Sequence, residues 1–287
     1  MEYIIVEDDY LSEPRLNLIS PLTMGVIDFI NAKNYRSILL NQRLGWKSQE
    51  LGLLTKVKNL KCLYLMDDEI KDLAMIEDLQ DLEYLQLECL GVKQGFNFEK
   101  LTNLKVVKID WRPCFESLHQ VGWLLQLRID KYKNKDLSKF KTSPNLNRFE
   151  LVQATIESTN GIKQFGKLKN LMLYRCSKLK DISELALIDL SELRLETCKK
   201  VENLESVFCI KSIESLILEK CHSLNSIKGI SNLPLRKVRI SDTVIVDGNL
   251  SEILSLKNCN IFFDNKKHYS HKYVWINDYS EKAIIPA

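Results

Sequence analysis

One short pattern recurs along this chain and dictates what it can fold into: L-x-x-L-x-L, apolar at the first, fourth and sixth positions. It opens at Leu60, Leu82, Leu104, Leu124, Leu146, Leu168, Leu190, Ile213 and Leu235, at spacings of 22, 22, 20, 22, 22, 22, 23 and 22 residues. The fourth and sixth positions hold Leu63 and Leu65 in the first of these units, Phe149 and Leu151 midway, and Val238 and Ile240 in the last. Nine successive matches at nearly constant spacing exclude chance. A unit this short buries apolar side chains on one side only, so it cannot stand alone, but stacked neighbours share a continuous core.

The pattern resembles the leucine-rich repeat family in its short class of about 22 residues per repeat. The unit from Leu60, LKCLYLMDDEIKDLAMIEDLQD, carries the likeness most clearly. The resemblance covers residues 35–264 and implies an α/β leucine-rich repeat solenoid, a curved horseshoe whose parallel sheet lines the concave side. A turn and a short helical or irregular segment would return along the convex side. About ten repeats are expected. YRSILL (Tyr35, Ile38, Leu40) reads as a degenerate first rung and CNIFFD, 259–264, as a last strand.

A stack of this kind exposes its core at both ends, so caps are expected. Residues 1–34 are assigned to an N-terminal cap, with a helix over 19–34 in which Ser20 is the N-cap and Pro21 lies in the first turn. Residues 265–287 are assigned to a C-terminal cap, a strand or a hairpin, with NIFFDNKKHYSHKYVWIN as two strand-like runs around a polar turn. MEYIIVED reads as a further short strand with no identifiable partner, and no second domain is expected.

Charge excludes some partners. The 41 basic residues are nearly cancelled by 38 acidic ones, for a net charge of +3. That balance gives no bulk electrostatic reason to expect nucleic acid or an anionic membrane. The N-terminus lacks the basic start, apolar stretch and cleavage site of a secretory signal. No apolar run approaches the ~18 residues of a membrane span. Eight cysteines are scattered without a C-x-x-C pair and read as reduced thiols, so the expected location is cytoplasmic.

Cys176, Cys198 and Cys221 all fall at position nine of their units. In the family the chain resembles, that position takes Asn or Cys and points inward where the chain leaves the strand. Successive rungs would set the thiols in a line at about 5 Å per step, the wrong arrangement for tetrahedral ligands. His222 follows Cys221, but neighbours at a turn point apart, so a thiol–imidazole pair is not expected. His268 and His271 of HYSH read as a solvated turn. No phosphate-binding, dinucleotide-binding, hydrolase or zinc-protease motif is present. No enzyme activity, cofactor, metal or small-molecule substrate is expected.

Function therefore rests on a surface. Alternate strand residues share a face, so with positions four and six in the core, positions three, five and seven form the open sheet face. Position five reads Tyr64, Gln86, Lys108, Arg128, Glu150, Met172, Arg194, Ile217 and Arg239. Position seven reads Met66, Glu88, Asp110, Asp130, Val152, Tyr174, Glu196, Glu219 and Ser241. Glu88, Asp110 and Asp130 fall on consecutive rungs, where either Lys108 and Arg128 neutralise them or a partner's basic groups do. Between charged stretches, Val152, Met172 and Tyr174, with Trp111 and Tyr132 where earlier strands turn outward, suggest an aromatic contact patch.

The expected contact set is Glu88, Lys108, Asp110, Trp111, Arg128, Asp130, Tyr132, Met172, Tyr174, Arg194, Glu196 and Glu219. The expected function is a non-enzymatic protein-binding scaffold. Short free-standing leucine-rich repeat proteins resemble some bacterial immunity proteins, which implies a cognate toxin domain as the partner on the concave face. A regulatory adaptor of a cytosolic enzyme and a host-directed bacterial effector are the alternatives.

Overall fold

A computed structural model of the chain describes residues 1–47, 50–276 and 281–286. The chain divides into two compact units, residues 1–130 with 140–145, and residues 131–139 with 146–287. Every L-x-x-L-x-L motif becomes a five-residue strand spanning positions three to seven.

In the first unit the strands are β1 (Tyr3–Glu7), β2 (Pro14–Leu18), β3 (Ser37–Asn41), β4 (Cys62–Met66), β5 (Tyr84–Glu88), β6 (Val106–Asp110) and β7 (Gln126–Asp130). β2 to β7 pair in parallel in chain order, and β1 pairs antiparallel with β2. Register follows the motif: Leu63 lies opposite Leu85, Leu85 opposite Val107, and Val107 opposite Leu127. A one-residue slip would turn these buried side chains to the open face, so the hydrophobic pattern alone fixes the pairing.

The second unit repeats the scheme with β8 (Arg148–Val152), β9 (Asn170–Tyr174), β10 (Glu192–Glu196), β11 (Ser215–Glu219), β12 (Lys237–Ser241) and β13 (Asn260–Phe263), all parallel. The returns between strands are 3-10 turns such as Ala74–Asp78 and Leu204–Cys209. About 17 residues leave one strand and re-enter the next only ~5 Å away.

Both chain ends differ from expectation. Among the described residues the single α-helix is α1 (Met24–Lys33), and its N-cap is Thr23, whose Oγ1 accepts from the Val26 N–H at 3.3 Å. Ser20 is engaged elsewhere, accepting the Glu2 N–H at 2.6 Å. Because α1 connects β2 to β3, it is the crossover of a rung, and the parallel sheet begins at β2 rather than at the 37–41 strand. The partner of MEYIIVED is β2. At the far end, Asn260–Phe263 keeps the repeat period and joins β12. β14 (His271–Ile276) therefore pairs with β15 (Glu281–Pro286), not with the NIFF run. Among the described residues no helix is long and apolar enough to cross a membrane.

A backbone device distinguishes two sets of rungs. On those of β7 to β12 position eight is left-handed: Lys131, Gln153, Arg175, Thr197, Lys220 and Asp242 have φ of 62°, 54°, 54°, 56°, 50° and 48°. The N–H of Lys131, Gln153, Arg175 and Thr197 donates to the position-seven carbonyl of the following rung, at 2.7, 2.8, 2.8 and 2.8 Å. The turn sends position nine inward, so Tyr132, Cys176 and Cys198 are buried. On the rungs of β4 to β6 position eight is not left-handed, and Asp67, Cys89 and Trp111 themselves enter the core.

The thiols hydrogen-bond the wall they line. Cys198 Sγ donates to the Leu173 carbonyl at 3.3 Å and Cys221 Sγ to that of Leu195 at 3.2 Å. Burial pushes the Cys221 thiol up to about 12, and the adjoining Cys176 thiol together with burial raises that of Cys198. Such thiols are inert packing groups.

Candidate functional site

The open face of the first unit is partly closed by its own chain. The loop between β1 and β2 folds onto it and buries Asp8 completely. Asp8 Oδ2 accepts from Ser37 Oγ at 2.6 Å and the Tyr64 hydroxyl at 2.9 Å, and Oδ1 accepts from the Tyr10 and Leu11 N–H groups at 2.9 Å each. Burial alone would raise this carboxyl, but the four hydrogen bonds outweigh it and hold it below the usual carboxylate range. The Arg15 guanidinium lies 4.6 Å from the Tyr64 ring centre, and the Tyr10 ring packs on Tyr84 at 5.6 Å. The Tyr10 hydroxyl donates to Glu83 at 3.2 Å. Burial pushes the Tyr10 and Tyr84 hydroxyls up to about 12, reinforced at Tyr10 by Glu83. Leu39, Tyr64 and Tyr84 therefore sit on the open-face columns yet are buried beneath this loop.

Beyond the loop, Glu88, Lys108, Asp110, Arg128 and Asp130 line one hollow of about 160 Å³ together with Gln86 and Ile109. Arg128 grips Asp130 through Nε at 2.8 Å and Nη2 at 3.2 Å. Arg112 stands 4.0 Å from Asp110, and Gln86 donates to Glu88 at 2.7 Å. Lys108 Nζ is drawn over the Tyr84 ring, 5.4 Å from its centre. The acidic row on these rungs is thus answered largely from within.

In the second unit Met172 and Arg194 share a shallow dip with Arg148, Glu150, Asn170 and Glu192. Arg148 Nε donates to Glu150 at 2.6 Å, and Arg194 Nε bonds Glu196 in the same i, i+2 arrangement. Arg239 Nε lies 3.9 Å from Glu219, with its guanidinium 4.7 Å from the Phe262 ring centre. Arg175, leaving β9, covers the Tyr174 ring at 5.0 Å. In every braced pair the arginine is outermost: side-chain exposures are 52%, 44% and 47% for Arg148, Arg194 and Arg239, against 13%, 12% and 26% for Glu150, Glu196 and Glu219.

Four residues depart from expectation. Trp111 and Tyr132 do not belong to an exposed patch: they are 4% and 0% accessible, and Val152 is 7%. Trp111 occupies the inward position eight of the first unit and packs against His119 at 5.1 Å. Tyr132 occupies position nine, the site of the buried cysteines, and counting from Leu124 would have shown it. Glu196, read as an outward charge, lies under Arg194. Sequence reasoning passed over Arg148, which stands at position three, although Arg-x-acid recurs as Arg128-Ile129-Asp130, Arg148-Phe149-Glu150 and Arg194-Leu195-Glu196.

Among the described residues no group of three or more His, Cys, Asp or Glu could hold a metal ion. No family model matches the sequence, and no curated protein matches it. Among solved structures the chain is similar to an internalin of Listeria monocytogenes, with 15% identity and a TM-score of 0.50 over 84% of this chain and 77% of that one. It is also similar to a leucine-rich repeat protein of Leptospira interrogans, with 22% identity and a TM-score of 0.61 over 84% of this chain. The chain spans 63% of the length of that Leptospira protein. At these identities the likeness is one of fold, and the fold is a leucine-rich repeat solenoid.

Proposed function

We propose that this chain is a non-enzymatic protein-binding scaffold that holds a folded partner on the open sheet face of its second unit. The observation that carries the reading is the set of arginines braced by recessed carboxylates around the half-buried Met172 and Tyr174. Arginine and tyrosine dominate binding hot spots. A free arginine loses up to ~2 kcal/mol of rotamer entropy when immobilised, and bracing through Nε places part of that cost in folding rather than in binding. The charged hollow of the first unit is the subsidiary contact, since its charges are already matched.

Affinity capture on the full chain tests this. A stoichiometric protein partner should be retained by the wild type and by Lys163→Glu, on a 3-10 turn, and lost with Arg194→Glu or Tyr174→Ala. Loss with Lys163→Glu alone would place binding elsewhere. For the biological role, resemblance to free-standing immunity proteins supports neutralisation of a bacterial toxin by steric occlusion in the cytoplasm. Co-expression with the product of the adjacent gene is the test. Protection from its toxicity supports immunity, whereas modulation of a metabolic enzyme supports the regulatory adaptor.

A further inference from the structure

We infer that the partner element seated on this face is an acidic amphipathic α-helix lying across the strands, an inference that rests on the second unit being the binding face. Position five of β9 to β13 reads Met172, Arg194, Ile217, Arg239, Phe262, and the pairing register sets each beside the next. Neighbouring strands are ~4.8 Å apart, so arginines recur about every 10 Å with an apolar side chain at the half step. Met172 and Phe262 are half-buried, and Ile217 is recessed between the two arginines at 5% exposure.

The hydrogen-bonding edges point to an acid. Arg194 donates at Nε to Glu196, and Arg239 donates at Nε to Ser241 Oγ at 3.4 Å with Glu219 3.9 Å away. Among the described residues neither arginine's Nη nitrogens have a hydrogen-bond acceptor. The bracing acids lie beneath, so an approaching carboxylate meets guanidinium donors first and the recessed charges second. A lysine would meet like charge.

Spacing selects the secondary structure. An α-helix returns to the same face every seven residues, about 10.5 Å, with i+3 and i+4 near half that distance. An extended strand returns to the same face at ~6.6 and ~13 Å, which matches neither interval. The fitting element carries Asp or Glu at i and i+7 and apolar residues at i+3 or i+4.

The test uses the full chain and fluorescein-labelled helical peptides of about 20 residues, with Glu at i and i+7, Leu at i+3 or i+4 and an alanine-rich background. Anisotropy should show binding of the Glu peptide, with affinity reduced about 10-fold or more in the Glu→Gln peptide and abolished in the Glu→Lys peptide. Arg194→Gln and Arg239→Gln should each weaken the Glu peptide about 10-fold, with Lys163→Gln unchanged and urea midpoints confirming folding. Equal binding of the Glu and Lys peptides, no binding of any peptide, or indifference to both arginines overturns the acidic helix. If the captured partner still depends on Arg194, the scaffold reading survives that failure; if it ignores Arg194, both fall.

Discussion

Arg194 is fastened through Nε to Glu196, two residues on in the same strand, and the acid's side chain is covered while that of the arginine stays 44% exposed. The two partners are therefore unequal, and so are their deletions. Arg194→Ala strands a nearly buried carboxylate and should cost about 1–2 kcal/mol. Glu196→Ala frees an arginine that water can solvate and should cost less than ~1 kcal/mol. Urea unfolding of the two variants measures the difference, and equal costs would mean the carboxylate is not shielded.

The loop over the first unit should behave as part of the core. Asp8→Ala removes the acceptor for Ser37, Tyr64 and two backbone N–H groups, and should cost about 2–4 kcal/mol. Tyr64→Phe removes one bond to a buried charge and should cost about 1.5–3 kcal/mol, read by the same unfolding curves. Midpoints like that of the wild type would show the loop to be a loose appendage.

Alkali should loosen the same region. Tyrosine in an unfolded chain ionises near ~10, whereas the Tyr10 and Tyr84 hydroxyls are pushed up to about 12. Between those values the unfolded chain has released protons that the folded chain keeps, so stability is intact below pH ~10 and falls as pH rises toward ~12. Tyr10→Phe should flatten that decline in urea midpoint. For Asp8, held below the usual carboxylate range, the sign reverses: its contribution is present above pH ~4 and lost as pH falls through its folded value.

Thr197 is a β-branched residue at φ 56°, a conformation that costs an L-residue about 1–2 kcal/mol. Thr197→Gly should raise stability by about 0.5–1 kcal/mol, the gain being offset in part by unfolded-state entropy. A lower midpoint would mean the left-handed turn at that rung is fixed by the side chain.

The repeats were legible because one periodicity controls them: Leu171, Leu193 and Leu216 are equivalent in the sequence and fully or almost fully buried in the fold. The cysteine wall was legible for the same reason. The caps were not, since Thr23 and Ser20 are both competent N-caps and only the Ser20 bond to Glu2, just ahead of the first strand, separates them. The burial of Tyr132 was legible by counting to position nine from Leu124, but that of Trp111 depends on position eight not being left-handed on its rung, and neither Trp111 nor Lys131 is a glycine or asparagine that would announce the change. The closure over Tyr64 is a contact between residues 8 and 64, carried by one aspartate with no periodic signal.

The central claim is most directly tested by calorimetric titration of the captured partner into wild type, Arg194→Glu and Lys163→Glu. We predict a rise in Kd of at least about 10-fold for Arg194→Glu, a change under about two-fold for Lys163→Glu, and unchanged urea midpoints for the latter. Wild-type affinity in Arg194→Glu, with loss in Lys163→Glu, would contradict the open sheet face as the binding surface.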